Sequence, residues 1–357
     1  MRRTLIAVIA AAAAITVSTG SVTAAMAASQ PSMLTDGNNV NITGHGANNS
    51  LRFFWVVNGS STWHPEPVAG KNTTYSAPSM TNDGNNVNIA AVGAGNSLRF
   101  YWAVNGQRIW HPETVAGGNT SYSAPAMTTD GNDVNIAVEG PDHSLLFYWA
   151  VNGSSTWHRE QIAGKNTTYS APSMTNDGNS VNIAVEGANH RLRFFWAVNG
   201  TSTWHPETVA GVNTTYSAPS MTTDGNDVNI AAEGAGNSLR FFWAVNGTST
   251  WHPETIAGRN STYSAPSMTN DDNSVNIAAE GPSHRLRFFW AVNGTSTWHP
   301  ETVAGVNTTY SAPSMVTDGN SVNIAAVGGG NSLRFFWAVN GTSTWHPETA
   351  APPGSMA

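Results

Sequence analysis

Phe241-Phe242-Trp243-Ala244-Val245-Asn246-Gly247-Thr248-Ser249-Thr250-Trp251-His252-Pro253-Glu254 reads as two strands joined by a tight turn. Aromatic and β-branched residues flank an Asn-Gly pair, and these two residues tolerate the positive φ angles of hairpin turns. The same stretch returns along the whole chain. Its first tryptophan is Trp55, Trp102, Trp149, Trp196, Trp243, Trp290 and Trp337; its second is Trp63, Trp110, Trp157, Trp204, Trp251, Trp298 and Trp345. Both series advance by 47 residues without insertion or deletion, and together they are all 14 tryptophans. A fixed period of this size marks a repeat architecture, so fold and function have to be read from one unit seen seven times.

The fifth unit shows the pattern. Ser217 to Thr222 is a first short strand with proline near its start, where no ladder N–H is needed. Asp224-Gly225-Asn226 is a turn, and Val228 to Glu233 alternates apolar and polar residues as a second strand. After the loop Gly234 to Asn237, Leu239 to Val245 is the third strand and Thr250 to Ile256 the fourth. In the third strand Leu239, Phe241, Trp243 and Val245 face one way, and Phe242 and Ala244 the other. A sheet apolar on both faces needs a neighbour on each side, which a closed ring supplies. The expected fold is therefore all-β, a seven-bladed β-propeller over residues 29–349, with four antiparallel strands per blade and a 47-residue repeat. A linear β-solenoid is the alternative, but its repeats are shorter, and neither end of this chain carries a distinct cap.

Linkers of the type Asn-Thr-Thr-Tyr end at Tyr75, Tyr122, Tyr169, Tyr216, Tyr263 and Tyr310, and none precedes the first unit. The ring thus has six complete junctions and one seam. The sequence leaves open whether the first strand completes the last blade or each blade is continuous. The third unit departs most, with Leu146 at the position of an arginine and Arg159 at that of a proline.

Charged residues are only 10% of the 357, and the net charge is −7. This argues against nucleic-acid binding, which needs clustered Lys and Arg, and an acidic, uncharged-polar surface is poorly matched to anionic membranes. Without cysteine there is no disulfide framework and no thiolate metal site. Arg2-Arg3, the apolar run Leu5 to Val17, which is too short to span a bilayer comfortably, and the small residues around Ala25-Met26-Ala27 form a secretory signal peptide pattern over residues 1–28. The expected location is extracellular. Residues 350–357, rich in Ala, Pro and Gly, read as a short disordered tail.

Each unit carries in fixed order Ser-Ala-Pro, Asp-Gly-Asn followed by Val-Asn-Ile, Gly-x-x-Asn-x-Leu, an aromatic run ending in Trp, an Asn-Gly turn, and Trp-x-x-Glu before Ala-Gly, with small departures between units. This order resembles the repeat of the seven-bladed propeller lectins typified by the fucose-binding Photorhabdus lectins. The resemblance spans all seven repeats, about residues 32 to 349. It implies a secreted or released lectin with sugar sites between neighbouring blades. The sequence departs from that pattern in its Trp-His-Pro-Glu and in its Asn-Thr-Thr-Tyr linkers.

A sugar site needs an aromatic plane for the C–H face of the ring and fixed donors and acceptors for hydroxyls. Trp-His-Pro-Glu begins the fourth strand of nearly every unit; on an extended strand its His and Glu share one face. The candidate carbohydrate-binding residues are the second tryptophan series, read as the more exposed, and Glu66, Glu113, Glu160, Glu207, Glu254, Glu301 and Glu348. To these are added Arg52, Arg99, Arg193, Arg240, Arg287 and Arg334 and the six linker tyrosines named above. The competing structural reading packs the tryptophans between blades and pairs the glutamates with the arginines as ion pairs.

One His and one Glu per blade, evenly repeated, do not converge on a point, so no metal and no cofactor is expected. Catalysis needs a unique constellation, and near-identical blades offer repeated weak binding instead, so the chain is not expected to be an enzyme. The reading is a secreted multivalent lectin for glycans on cell surfaces, with fucose or related monosaccharides as ligands. A non-catalytic protein-binding or adhesion propeller is the alternative, and a glycoside hydrolase ranks below both.

Overall fold

The structure, a computed structural model, describes residues 29–357; the expected signal peptide lies outside the described residues. In the first blade β1 (Ser32–Thr35), β2 (Asn39–Gly46), β3 (Ser50–Val57) and β4 (His64–Ala69) pair in sequence order as an antiparallel sheet. Six further four-stranded sheets repeat that order. The first strand of each blade packs against the first strand of the next, and that of the seventh against that of the first. Thr35 Oγ1 donates to the Thr317 carbonyl and Gln30 Nε2 to that of Pro313, which ties the ends of the circle together. The chain is a closed seven-bladed β-propeller. Among the described residues no helix is long and apolar enough to cross a membrane.

The core lies between blades. Leu239 and Phe241 of the fifth blade meet Met268, Val275, Ile277 and Phe289 of the sixth, and Phe242 on the opposite face meets Leu192 and Phe194 of the fourth. Both faces of the third strand are therefore covered, as its two-sided apolar pattern requires. A register shift after Leu239 leaves one residue of the fourth strand unpaired, and the same irregularity recurs in every blade.

Two element boundaries differ from expectation. The first strand of the fifth blade is Ser220–Thr223, because Ser217-Ala218-Pro219 still belongs to the incoming linker. The fourth is His252–Ala257, so Trp251 precedes it. Asn246-Gly247 forms the expected tight turn, but the loop between the paired strands is longer than two residues. Gly247 alone is left-handed (φ +78°), Thr248 N–H donates to the Val245 carbonyl, and Thr248 to Trp251 then run on before pairing resumes.

The tail is not the disordered segment its composition suggests. Residues 350–357 are ordered and close the ring. Ala350 and Ala351 end the last strand, and Met356 is buried. In the sixth linker Asn307 N–H donates to the Ser283 carbonyl, Thr309 to that of His284 and Tyr310 to that of Val327. Each position advanced by 47 gives the tail: Gly354 donates to Gly330, Met356 to Asn331, and Ala357 to His45 of the first blade. The left-handed residue is Asn307 in the one (φ +59°) and Gly354 in the other (φ +79°). A seventh linker is thus present with its Asn-Thr-Thr-Tyr letters replaced. Every blade is continuous, and no strand is exchanged at the seam.

Candidate functional site

Chain direction alternates from strand to strand. The turns between first and second strands and those between third and fourth therefore lie at one end of the ring, here called upper. The remaining loops and the linkers lie at the lower end. The two tryptophan series and the glutamates sit towards the upper end, where neighbouring blades part into clefts of about 410 to 520 Å³.

The cleft between the fourth and fifth blades, of about 460 Å³, represents the set. Trp196, in the third strand of the fourth blade, pairs across the sheet with His205, whose ring stacks on its own at 4.1 Å. Two residues back on the same face, Phe194 pairs with Glu207. Glu207 Oε1 accepts from Trp196 Nε1 at 3.0 Å and from Ser249 Oγ of the fifth blade at 3.0 Å. Glu207 Oε2 accepts from Trp251 Nε1 of the fifth blade at 2.9 Å. The Trp251 ring meets Phe194 edge-on at 5.0 Å. One carboxylate thereby clamps two indoles across the blade boundary. A carboxylate offers about four acceptor positions, so three of these bonds leave one on Oε2.

The wall nearest the axis comes from the turn between the first and second strands. Asp177 Oδ1 accepts from the backbone N–H groups of Asn179 and Ser180, and Oδ2 accepts from Asn182 Nδ2 at 3.1 Å. In the third and fifth blades an aspartate replaces Ser180, giving the pairs Asp130/Asp133 and Asp224/Asp227. Burial first, and the neighbouring aspartate second, push the Asp133 and Asp227 carboxyls above the ordinary carboxylate range.

The sequence candidates divide between the two ends. The second-series tryptophans and the glutamates meet in the clefts, but across blades: Trp204 joins Glu160, Trp251 joins Glu207, and Trp63 of the first blade joins Glu348 of the seventh. The second series is half-buried like the first, so its reading as the more exposed of the two is not what the structure shows. The arginines and tyrosines are elsewhere. Arg193 precedes Trp196 by three residues, roughly 10 Å along a strand. It projects from the other sheet face at the lower end, packs over Phe195, and donates from Nε to the Glu207 backbone carbonyl. Arg240 and Arg287 do the same with Glu254 and Glu301. The Glu carboxylates are committed to indoles, so the expected Arg–Glu ion pairs do not form.

Tyr75, Tyr122, Tyr169, Tyr216 and Tyr263 are exposed at the lower end. There Tyr169, Tyr216 and Tyr310 stack on His143, His190 and His284, each of which pairs through Nδ1 with Glu139, Glu186 or Glu280 at 2.6 Å. Burial raises these three glutamates, and the histidine opposes it. Glu233, with Asn237 where the others have histidine, is pushed up to about 7 by burial and by Glu186.

Three contributors escaped the sequence reading: the first-series tryptophans, the aspartate turns and the hairpin serine. The first was legible in principle, because Trp243 and Glu254 lie on one face of a hairpin whose strands pair in register. The serine was not, because its partner belongs to another blade. Among the described residues no group of three or more His, Asp or Glu side chains is placed to hold a metal ion.

The fold and site define a class, the seven-bladed propeller with an aromatic–carboxylate cleft at each blade boundary. No protein-family model matches the chain, and no curated protein matches it. Among solved structures it is similar to the BP39L lectin from Burkholderia pseudomallei, at 19% identity and a TM-score of 0.83, over 93% of this chain and 99% of that one. It is also similar to the SapL1 lectin in complex with alpha methyl fucoside, at 11% identity and TM-score 0.58, over 78% and 97%. A prolyl endopeptidase matches at 12% identity and TM-score 0.59, over 91% of this chain but 50% of its own length. At such identities the likeness establishes the fold alone.

Proposed function

We propose that this protein is a secreted, non-catalytic lectin that holds monosaccharide units of surface glycans in the clefts between its blades. The observation that carries this is the bridging glutamate. It fixes two indoles and a hydroxyl around an open cleft between blades, an arrangement that recurs at five of the seven boundaries. Trp196 is backed by His205 on one face, leaving an aromatic plane for sugar C–H groups, while Asn and Ser side chains supply hydroxyl partners. The lectins among the similar structures support the reading, and the fucoside complex makes fucose the first sugar to test. Binding without catalysis fits carboxylates that are held by indole and amide donors in every cleft.

Calorimetry of the full chain with free monosaccharides tests this. We expect weak binding at several equivalent sites per chain, and a Trp196→Ala, Glu207→Ala double substitution lowering the stoichiometry by one. A chain that binds a protein partner but no sugar on an array or in the calorimeter would be an adhesion propeller instead.

A further inference from the structure

The clefts are not all alike. In the second blade Gln107-Arg108-Ile109 replaces the Ser/Thr triplet of the other hairpins, which places Arg108 where Ser249 stands in the fifth. Arg108 Nε approaches Glu66 Oε1 at 3.2 Å, taking the carboxylate oxygen that a serine hydroxyl binds elsewhere. Its guanidinium lies over the Trp55 ring, 5.1 Å from the centroid. His64 already stacks on that ring at 4.1 Å, so the guanidinium covers the other face. Trp110 Nε1, whose counterparts all donate to a bridging glutamate, is buried without a partner. The chain's own cation therefore sits on the indole face that is open in the remaining clefts and takes the place of their serine on the carboxylate.

The charge of those clefts agrees. The cleft between the fourth and fifth blades is lined by Asp177 and Glu207 and by no Lys or Arg, with His205 behind the Trp196 ring, and clefts with paired aspartates carry one carboxylate more. An indole face beside an uncompensated carboxylate is the environment that attracts an organic cation, through the ring quadrupole and a charge-assisted hydrogen bond.

Resting on the carbohydrate reading above, we propose that the six clefts without Arg108 select a protonated amino sugar over its neutral relatives, and that Arg108 occupies the seventh as a built-in stand-in. The ammonium takes the vacant acceptor position of the bridging glutamate, and the ring lies on the first-series tryptophan. The hydroxyls then meet the serine of the hairpin and the asparagines of the inner turn. An arginine side chain from a peptide would use the carboxylate and the indole but none of the hydroxyl partners, which is why a sugar is favoured.

The test is calorimetry of the full chain at about pH 6, where an aliphatic amine of this kind is protonated, with glucosamine, N-acetylglucosamine, fucose and argininamide as probes. Expected are glucosamine affinity about tenfold above that of either neutral sugar, a loss of that margin at high salt, and six sites per chain. Arg108→Ser then adds a seventh site while leaving the affinity of the others unchanged. The proposal is overturned if glucosamine binds no better than fucose, if Arg108→Ser leaves the stoichiometry unchanged, or if argininamide binds where no sugar does. Fucose binding without amine preference would overturn the ligand charge and leave the lectin reading standing; absence of all sugar binding would overturn both.

Discussion

A carboxylate in this ring is defined by its neighbours rather than by its place in the repeat. Glu207 and five of its equivalents accept two indole N–H groups, whereas Glu233, at the opposite end of its blade, is half-buried without the histidine that steadies Glu139, Glu186 and Glu280. Its carboxyl is raised to about 7 in the fold from an ordinary value of 4.5. The sign follows directly. The folded state holds the proton more tightly, so the contribution of Glu233 to stability is complete below pH 4.5 and is lost as the pH rises towards about 7. Glu233→Gln should therefore unfold at a higher urea concentration than the parent above neutrality, by about 1–2 kcal/mol after allowance for solvent screening. The two chains should converge below about pH 4.5; an equal gap at all pH values would show that ionisation is not its source. The position of the arginines is decided at this same scale. Arg193 and Glu207 are complementary letters in one hairpin, but Glu207 pairs with Phe194, so the two side chains leave opposite sheet faces and the arginine reaches only the Glu207 backbone carbonyl.

At the scale of the element, the seam shows how little of a linker need be spelled alike. Met356 stands where the other junctions bury a threonine or serine, and Gly44 stands where the other blades carry Ala or Val. The two exchanges belong together, because a Cβ on Gly44 would collide with the Met356 methyl. Gly44→Ala alone should cost roughly 1–3 kcal/mol as an overpacked site. Met356→Thr alone should cost a similar amount by opening a cavity. Together they restore the pair found elsewhere in the ring, so the double variant should be less destabilised than the sum, a coupling that a double-mutant cycle reads from urea midpoints. Strict additivity would mean that the two residues do not share a packing site. Strand number, order and core faces were legible from the two-residue periodicity of Leu239 to Val245 and its neighbours. The tail was not, because its contribution is made by backbone N–H groups and a glycine in the left-handed region, neither of which needs the letters Asn-Thr-Thr-Tyr. The extended run from Thr248 to Trp251 was hidden for a related reason: Trp251 leaves the strand to reach Phe194 and Glu207 on the preceding blade, a contact no single unit contains.

At the scale of the whole molecule, the alternation of strand direction puts every Trp–Glu–Trp cleft at the same end of the ring. A rigid disc whose sites all open one way can lay several of them on one glycan-coated surface at once, and each site after the first binds at an effective concentration set by the disc rather than by free solution. The proposed lectin activity then rests on number and placement more than on the strength of one cleft. Clefts can be disabled by removing the half-buried platforms at alternate boundaries: Trp102→Ala, Trp196→Ala and Trp290→Ala in one chain. Calorimetry with the free sugar should report three fewer sites at unchanged affinity. Retention on a surface bearing the same sugar should fall by at least about tenfold, since the parent ring gains roughly 10²–10⁴ from linkage and the variant loses neighbouring partners for each remaining site. A parent ring that held the surface no more tightly than it held the free monosaccharide would show that the clefts act singly, and circular placement would then be a consequence of the fold alone.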